Sequence, residues 1–372
     1  MTGSLGPDDA TDSGAGTERM TAPLRTSVTI RDVARVANVH PGTVSRALNA
    51  ETRALVTQET ADRVMRAVKE LGYRPNPIAR GLKTNRSYTI GVLIPDITNP
   101  LFPPILRGIE DRLDDDGYTS LIVNTDNDDE RERSHLEAMR ARQVDGLISA
   151  TARLDRRSPA DVAAGGTPLV LVNRSLEDGS VPAVTVDDRE GIRLAVAHIA
   201  GLGHTRIGHL AGPQNVSTGH RRYLGFLEAM RDSGLDAPDE QVRFSRWFTE
   251  AEGARVCREL LDAVRDTTAI VAANDRLAIG CYDALEALGL RCPEDVSITG
   301  FNDMPFVGRL RPPLTSVRVP QREIGTVAAD LLLQRLGDGS QGACEILLEP
   351  TLVVRGSTAR PREHPLVRRS AL

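Results

Sequence analysis

Thr43, Ser45, Arg46 and Asn49 put two hydroxyls, a guanidinium and an amide into one short stretch. Such groups suit phosphate oxygens and the edges of nucleic-acid bases. The elements that must present them can be read from their neighbours. In TIRDVARVANVHPGTVSRALN, residues 29–49, Ile30, Val33, Ala34 and Ala37 recur at helical spacing, and Val44, Ala47 and Leu48 do so again. Asn38, between the two runs, tolerates the left-handed backbone that a tight turn needs. Pro41 sits where a first helical residue belongs, because its missing N–H would be unsatisfied there anyway. Two short helices sharing an apolar core read as a helix-turn-helix, with the four polar residues on the outer face of the second. An ordinary helical hairpin fits the same spacing.

The next residues separate these readings. Thr57 can cap a third helix, in which Ala61, Val64, Met65, Val68 and Leu71 form the apolar face and Gly72 is the stop. In YRPNPIARGLKT, residues 73–84, Asn76 can cap and Pro77 start a helix of about two turns, too short to be stable alone and weakened by Gly81. Ala79 and Leu82 share one side of it. A basic helix of this kind suits a segment that orders in a DNA minor groove, with the leucine wedged between base steps.

With DVARVANVHPGTVSRALN followed by LGYRPNPIARGL, the chain resembles the LacI family of bacterial transcription regulators over residues 28 to about 357. The resemblance implies that Pro41, Gly42 and Arg46 occupy base-reading positions. Thr29, Thr43, Ser45 and Asn49 match phosphate contacts, and Asn76, Ala79 and Leu82 lie on a DNA-contacting hinge, with Leu82 as the intercalating residue. Pro41 and Gly42 carry no side-chain donor or acceptor, so base reading falls to Arg46 and to DNA shape.

Charge follows the same division. The chain of 372 residues carries −5 overall, yet residues 27–86 hold 11 Lys and Arg against 5 Asp and Glu. A basic head on an acidic body fits a protein that docks one end on nucleic acid. The length suggests two or three domains. They are expected as an extension over 1–26, a DNA-binding head over 27–75, a hinge over 76–87, a core over 88–357 and a basic tail over 358–372.

Cys257, Cys281, Cys292 and Cys344 form no CxxC pair and are expected as buried free thiols in a reducing cytosol. No apolar run approaches the roughly 18 residues of a membrane span, and the first residues lack the apolar stretch of a signal peptide. The Gly-, Ser-, Thr- and Asp-rich residues 1–26 read as disordered. The basic tail reads as a loose end with at most weak attraction for DNA.

From residue 88 onward, β-rich runs alternate with amphipathic helical patterns. The runs are TIGVLIP (89–95), TSLIVN (119–124), GLISA (146–150), PLVLVN (168–173), RIGHLAG (206–212), TAIVAAN (268–274) and SITGF (297–301). Such repetition implies parallel sheets covered on both faces, and the length implies two lobes. The expected fold class is therefore α/β, an all-α head followed by a two-lobed, doubly wound core. The resemblance implies a periplasmic-binding-protein-like core with crossings near Val186 and Asp187 and near Val317 to Pro320.

Ligands of doubly wound folds bind at the carboxyl ends of the strands. The resemblance places Phe102, Asn173, Arg174, Thr218, Arg222, Phe248, Asn274 and Asn302 facing an effector there. Phenyl faces can stack on a sugar ring while Asn, Arg and Thr bond its hydroxyls. Singly, Phe102 and Phe248 also fit the core, and Arg222 fits a surface ion pair. Asn302, in GFND, stands where aspartate is common, and two arginines would also suit an acid or phosphate.

GLGHTR, residues 201–206, has two glycines of a dinucleotide-binding turn but no third and precedes a strand, no GxxxxGK[ST], HExxH or GxSxG motif occurs, and His198, His204 and His209 fall on different predicted elements. An enzyme or a transport-type solute-binding protein on the same core is therefore the lesser reading. The main expectation is a cytoplasmic, non-enzymatic, homodimeric repressor without cofactor or metal. It binds a double-stranded operator and answers to a small effector of the sugar class.

Overall fold

The computed structural model describes residues 28–49, 52–74, 86–154, 165–338, 342 and 344–362. The expected N-terminal extension and the hinge residues Asn76, Ala79 and Leu82 lie outside these.

Helices α1 (Ile30–Ala37), α2 (Pro41–Leu48) and α3 (Gln58–Leu71) enclose Val33, Ala34, Ala37, Val44, Ala47, Ala61, Val64 and Ala67. The turn after α1 closes through Asn38, at φ 52° and ψ 52°, and Val39 N donates to Ala34 O at 3.0 Å. Thr57 caps α3 by accepting from Thr60 N, and Gly72 ends it at φ 61°. Met65, expected in the apolar face, is instead 44% exposed, and Ala67 lies inward. A helix turns about 100° per residue, so the stripe through Ala61, Val64 and Leu71 passes Met65 by.

The remaining chain forms a separate compact unit of two six-stranded sheets. The first contains β1 (Thr89–Ile94), β2 (Thr119–Asn124), β3 (Gly146–Ser149), β4 (Leu169–Val172), β5 (Ala183–Val186) and β11 (Glu345–Leu348), in the order β11-β5-β4-β3-β1-β2. The second contains β6 (Ile207–Ala211), β7 (Val242–Phe244), β8 (Ala269–Ala272), β9 (Ser297–Asn302), β10 (Thr315–Arg318) and β12 (Thr351–Val353), in the order β12-β10-β9-β8-β6-β7. All pairings are parallel except β10 with β12. Strands β3, β4, β5 and β8 are buried throughout, which suits their largely apolar sequences.

Helices α4 (Phe102–Asp115), α5 (Asp129–Ala141) and α10 (Gln321–Asp338) belong to the first lobe. Helices α6 (Asp188–Gly201), α7 (Ser217–Asp232), α8 (Glu250–Ala263) and α9 (Asp275–Ala287) cover the second sheet. Two crossings between lobes fall where expected, after β5 and after β10. A third, between β11 and β12, was not anticipated from the sequence, because these are short edge strands with little apolar patterning. After the second crossing, α10 meets α4 backbone to backbone. A Cβ on Gly108 would stand 2.1 Å from Arg322 O, and one on Gly325 2.0 Å from Ile105 O.

Residues 357–359, at the start of the expected loose tail, are bonded into the second lobe. Ser357 Oγ donates to Ile298 O at 2.6 Å, Ala359 N to Ser297 Oγ at 3.0 Å, and His204 Nε2 to Ala359 O at 2.8 Å. His198 Nε2 pairs with Thr358 Oγ1 at 2.9 Å. His209 is used elsewhere, stacked on Phe226 at 4.6 Å with Nδ1 donating to Val271 O, and burial pushes it down to about 4. Among the described residues no group of His, Cys, Asp or Glu is placed to hold a metal, and no helix is long and apolar enough to cross a membrane.

Candidate functional site

In the head, Pro41 opens α2, and His40 Nδ1 before it accepts from Gly42 N at 3.1 Å. This fixes the N-terminal turn of α2. Arg46 is exposed on α2, while Thr43, Ser45 and Asn49 are half-buried beside it. The carbonyl of Arg46 accepts from Thr52 Oγ1, which ties the end of α2 to the next turn. Thr29 caps α1: its backbone N donates to Asp32 Oδ2 at 3.0 Å and its hydroxyl to the same oxygen at 2.7 Å. These bonds hold the Asp32 carboxyl below its ordinary range. The hydroxyl hydrogen of Thr29 is therefore already committed within the head.

In the two-lobed unit, all eight residues expected at the ligand line one narrow pocket of about 20 Å³. Asn173 follows β4, Asn274 lies just beyond β8 and Asn302 ends β9, so the carboxyl ends of three strands converge there. Phe102, 2% exposed at the start of α4, both joins the core and lines the pocket, so the two readings of this residue coincide. Phe248, half-buried, lies against Gly212, where a Cβ would come within 2.4 Å of its ring. Thr218 is buried in the first turn of α7.

The polar groups divide into engaged and free. Asn274 Oδ1 caps α9 by accepting from Leu277 N at 2.8 Å. Arg222 donates from Nε to Asp188 Oδ1 at 2.7 Å and from a terminal nitrogen to Ala273 O at 2.7 Å, with its guanidinium 3.7 Å above the Phe301 ring. It is therefore a buried ion pair, and the surface pairing considered from the sequence is corrected: the turn of α7 that carries Arg222 packs inward on α6. By contrast, Arg174 Nε and Asn302 Oδ1 are buried without a hydrogen-bond partner. Burial lowers Arg174 to about 10, so it stays cationic at neutral pH. Asn302 is held at φ 112° and Asn173 at φ 64°, left-handed backbone that costs a side-chain-bearing residue energy and is typical of ligand-holding segments.

Several residues of this region had no signal in the sequence. Asn99 and Leu101 complete the pocket, which shares Asn99, Phe102, Arg174 and Phe248 with a larger chamber of about 170 Å³, partly open to solvent. That chamber adds Asp96, Arg153, Trp247 and Arg276. Trp247, the single tryptophan, sits beside Phe248 and was the one residue there that its type could have flagged. Asp275, next to Asn274, is fully buried. It accepts from Met304 N at 2.7 Å and Ser316 Oγ at 2.5 Å, and burial pushes it up to about 7.

Comparison with known proteins finds a family match in each of the two units. Residues 29–76 match the family described as bacterial regulatory proteins, lacI family, and residues 196–358 match a periplasmic binding protein-like domain. The chain is 34% identical over 333 residues to the HTH-type transcriptional repressor CytR of Escherichia coli (strain K12), covering 90% of this chain and 97% of that one. It is 35% identical to a ribose operon repressor of Halalkalibacterium halodurans, covering 89% and 97% of the two chains. The lac repressor dimer bound to operator and the anti-inducer ONPF superposes with a TM-score of 0.78 at 27% identity, over 90% of this chain and 99% of that one. A complex of the transcriptional regulator CelR with cellobiose gives 0.69 at 30% identity, over 89% and 99%. With its helix-turn-helix head and two-lobed core, the chain belongs to the lacI family of bacterial regulatory proteins.

Proposed function

We propose that this protein is a cytoplasmic, non-enzymatic transcriptional repressor that binds a pseudo-palindromic operator as a homodimer and is controlled by a sugar or sugar derivative. The observation that carries the effector reading is a pair of buried atoms without a hydrogen-bond partner, the donor Arg174 Nε and the acceptor Asn302 Oδ1, on two residues that line one pocket. Leaving such groups unpaired costs about 1–3 kcal/mol each, which a hydroxylated ligand that donates to one and accepts from the other would recover. Phe102 and Phe248 supply flat apolar faces for the ring between them. Named relatives support the class: one solved regulator of this family holds ribose and another cellobiose.

On this reading, residues 27–75 bind DNA, 76–87 connect and 88–357 bind effector and twin. Effector changes operator affinity only as far as it binds the two lobe arrangements differently. The short hinge segment is the two-state element suited to carry that difference. Titration calorimetry against a panel of sugars, with operator binding followed by fluorescence anisotropy in parallel, tests the reading. A sugar that binds and shifts operator affinity supports it, and a sugar that binds without any shift overturns the regulatory half.

A further inference from the structure

Where the chain enters the two-lobed core, one carboxylate holds it at three points. Asp145, the residue before β3, accepts from Ser87 N at 2.7 Å, Ser87 Oγ at 3.0 Å and Tyr88 N at 2.9 Å. Tyr88 stands at φ 53°, a left-handed backbone that a bulky side chain keeps only where its surroundings hold it. Its carbonyl accepts from Thr119 N at 2.9 Å, and its ring lies 5.4 Å from that of Tyr118. The sheet itself does not require this turn. Strand β1 starts at Thr89, which is already in register with Thr119, and Ile90 with Gly146. The strained residue therefore acts on the chain that arrives, whose direction it sets.

One helix ties this entry point to the effector pocket. Arg86 donates to Leu336 O at 2.9 Å, in the last turn of α10. At the other end of α10, Gln321 Nε2 donates at 2.9 Å to the carbonyl of Asn302, a pocket residue. Eighteen residues separate these ends by a rod of about 27 Å, locked onto α4 at Gly108 and Gly325.

We propose that Asp145 is a positioning residue for operator recognition, acting through Ser87 and Tyr88: its carboxylate holds the left-handed turn that aims the hinge as it leaves the core, and α10 makes that turn answer to the pocket. This rests on the DNA-binding and effector reading above. With the turn held in advance, its residues need no ordering when operator binds. Loss of the clamp moves that entropy cost into the binding step. Binding to random DNA, which rests on charge, does not use the turn.

Full-length wild type, Asp145→Ala and Asp145→Asn are compared by anisotropy on two duplexes of equal length, one random and one selected by the wild type from a random-sequence pool. Asp145→Ala should lose at least about tenfold on the selected duplex and less than about twofold on the random one. Asp145→Asn keeps one acceptor oxygen and should fall between. Hydrogen exchange at Ser87 and Tyr88 should quicken in Asp145→Ala while β1 and β3 keep wild-type protection, which separates a lost clamp from a damaged lobe. Unchanged affinity for the selected duplex, or equal losses on both, overturns the proposal. Repeating the titrations with ribose and with cellobiose tests the link to the pocket. A sugar that shifts wild-type operator affinity should shift that of Asp145→Ala by less than about twofold, although calorimetry shows it bound equally well. A full shift in the variant overturns the link. If neither sugar shifts the wild type, the effector reading fails for these probes, and the duplex comparison still decides the role of Asp145.

Discussion

Arg222 and Asp188 are joined at 2.7 Å with their side chains 3% and 0% exposed, one on α7 and the other at the start of α6. Both helices follow the first crossing from lobe to lobe, and Arg222 itself lines the pocket between them and the strand ends. Burial pushes the Asp188 carboxyl up against the pull of Arg222, and its Oδ2 has no hydrogen-bond partner. Removing one partner leaves the other charge buried and uncompensated. Asp188→Ala should therefore lower unfolding stability by about 3–5 kcal/mol in urea denaturation. A loss below about 1 kcal/mol would mean that water reaches the pair.

Effector binding should depend differently on the free and engaged groups. Arg174→Ala should weaken it by about 1.5–3 kcal/mol and Asn302→Ala by about 1 kcal/mol, since the first bond is charge-assisted. Arg222→Ala should reduce both binding and stability, because that guanidinium also holds Asp188 and Ala273 O. Operator binding without effector should survive in the first two variants. Wild-type effector affinity in both of them would place the effector elsewhere.

Asp275 gives the core a pH dependence. Its folded-state value near 7 lies above the ordinary 3.8, so between these two values the native state binds more proton than the unfolded chain. Stability must then fall as pH rises from about 4 to about 7 and level off above. Asp275→Asn mimics the protonated form, accepting from Met304 N and donating to Ser316 Oγ, and should abolish this part of the slope. Denaturation midpoints at pH 5 and pH 7.5 for the two proteins provide the measurement, and parallel slopes would assign the pH dependence to other groups.

Arg46 is exposed on α2 and is the only charged base-reading candidate there. Arg46→Ala should cost about 1–3 kcal/mol on the operator and relax preference at one base of each half-site. The measurement is anisotropy on operator and random duplexes across a salt series. An equal loss on both duplexes would instead mark Arg46 as a phosphate contact.

Local chemistry was legible in the sequence wherever a few adjacent residues decide the outcome. Asn38 fixed the turn of the head, Thr57 and Gly72 the ends of α3, and seven apolar runs the strands near their observed positions, because caps, turns and buried strands are set by neighbours in the chain. Family resemblance located the eight pocket residues, whereas composition left Phe102 and Arg222 open. The tertiary structure alone decided how those residues are used. Arg222 finds Asp188 across 34 positions and Arg276 finds Asp96 across 180, so no local pattern shows that one guanidinium is taken up by a buried pair while Arg174 Nε is left free. Strands β11 and β12 draw their stability from the sheet edges they join, and Met65 turns outward because the packing of α1 and α2 against α3 selects the inward stripe. The size of the larger chamber is likewise a product of how two lobes meet, a quantity set by contacts distant in the chain.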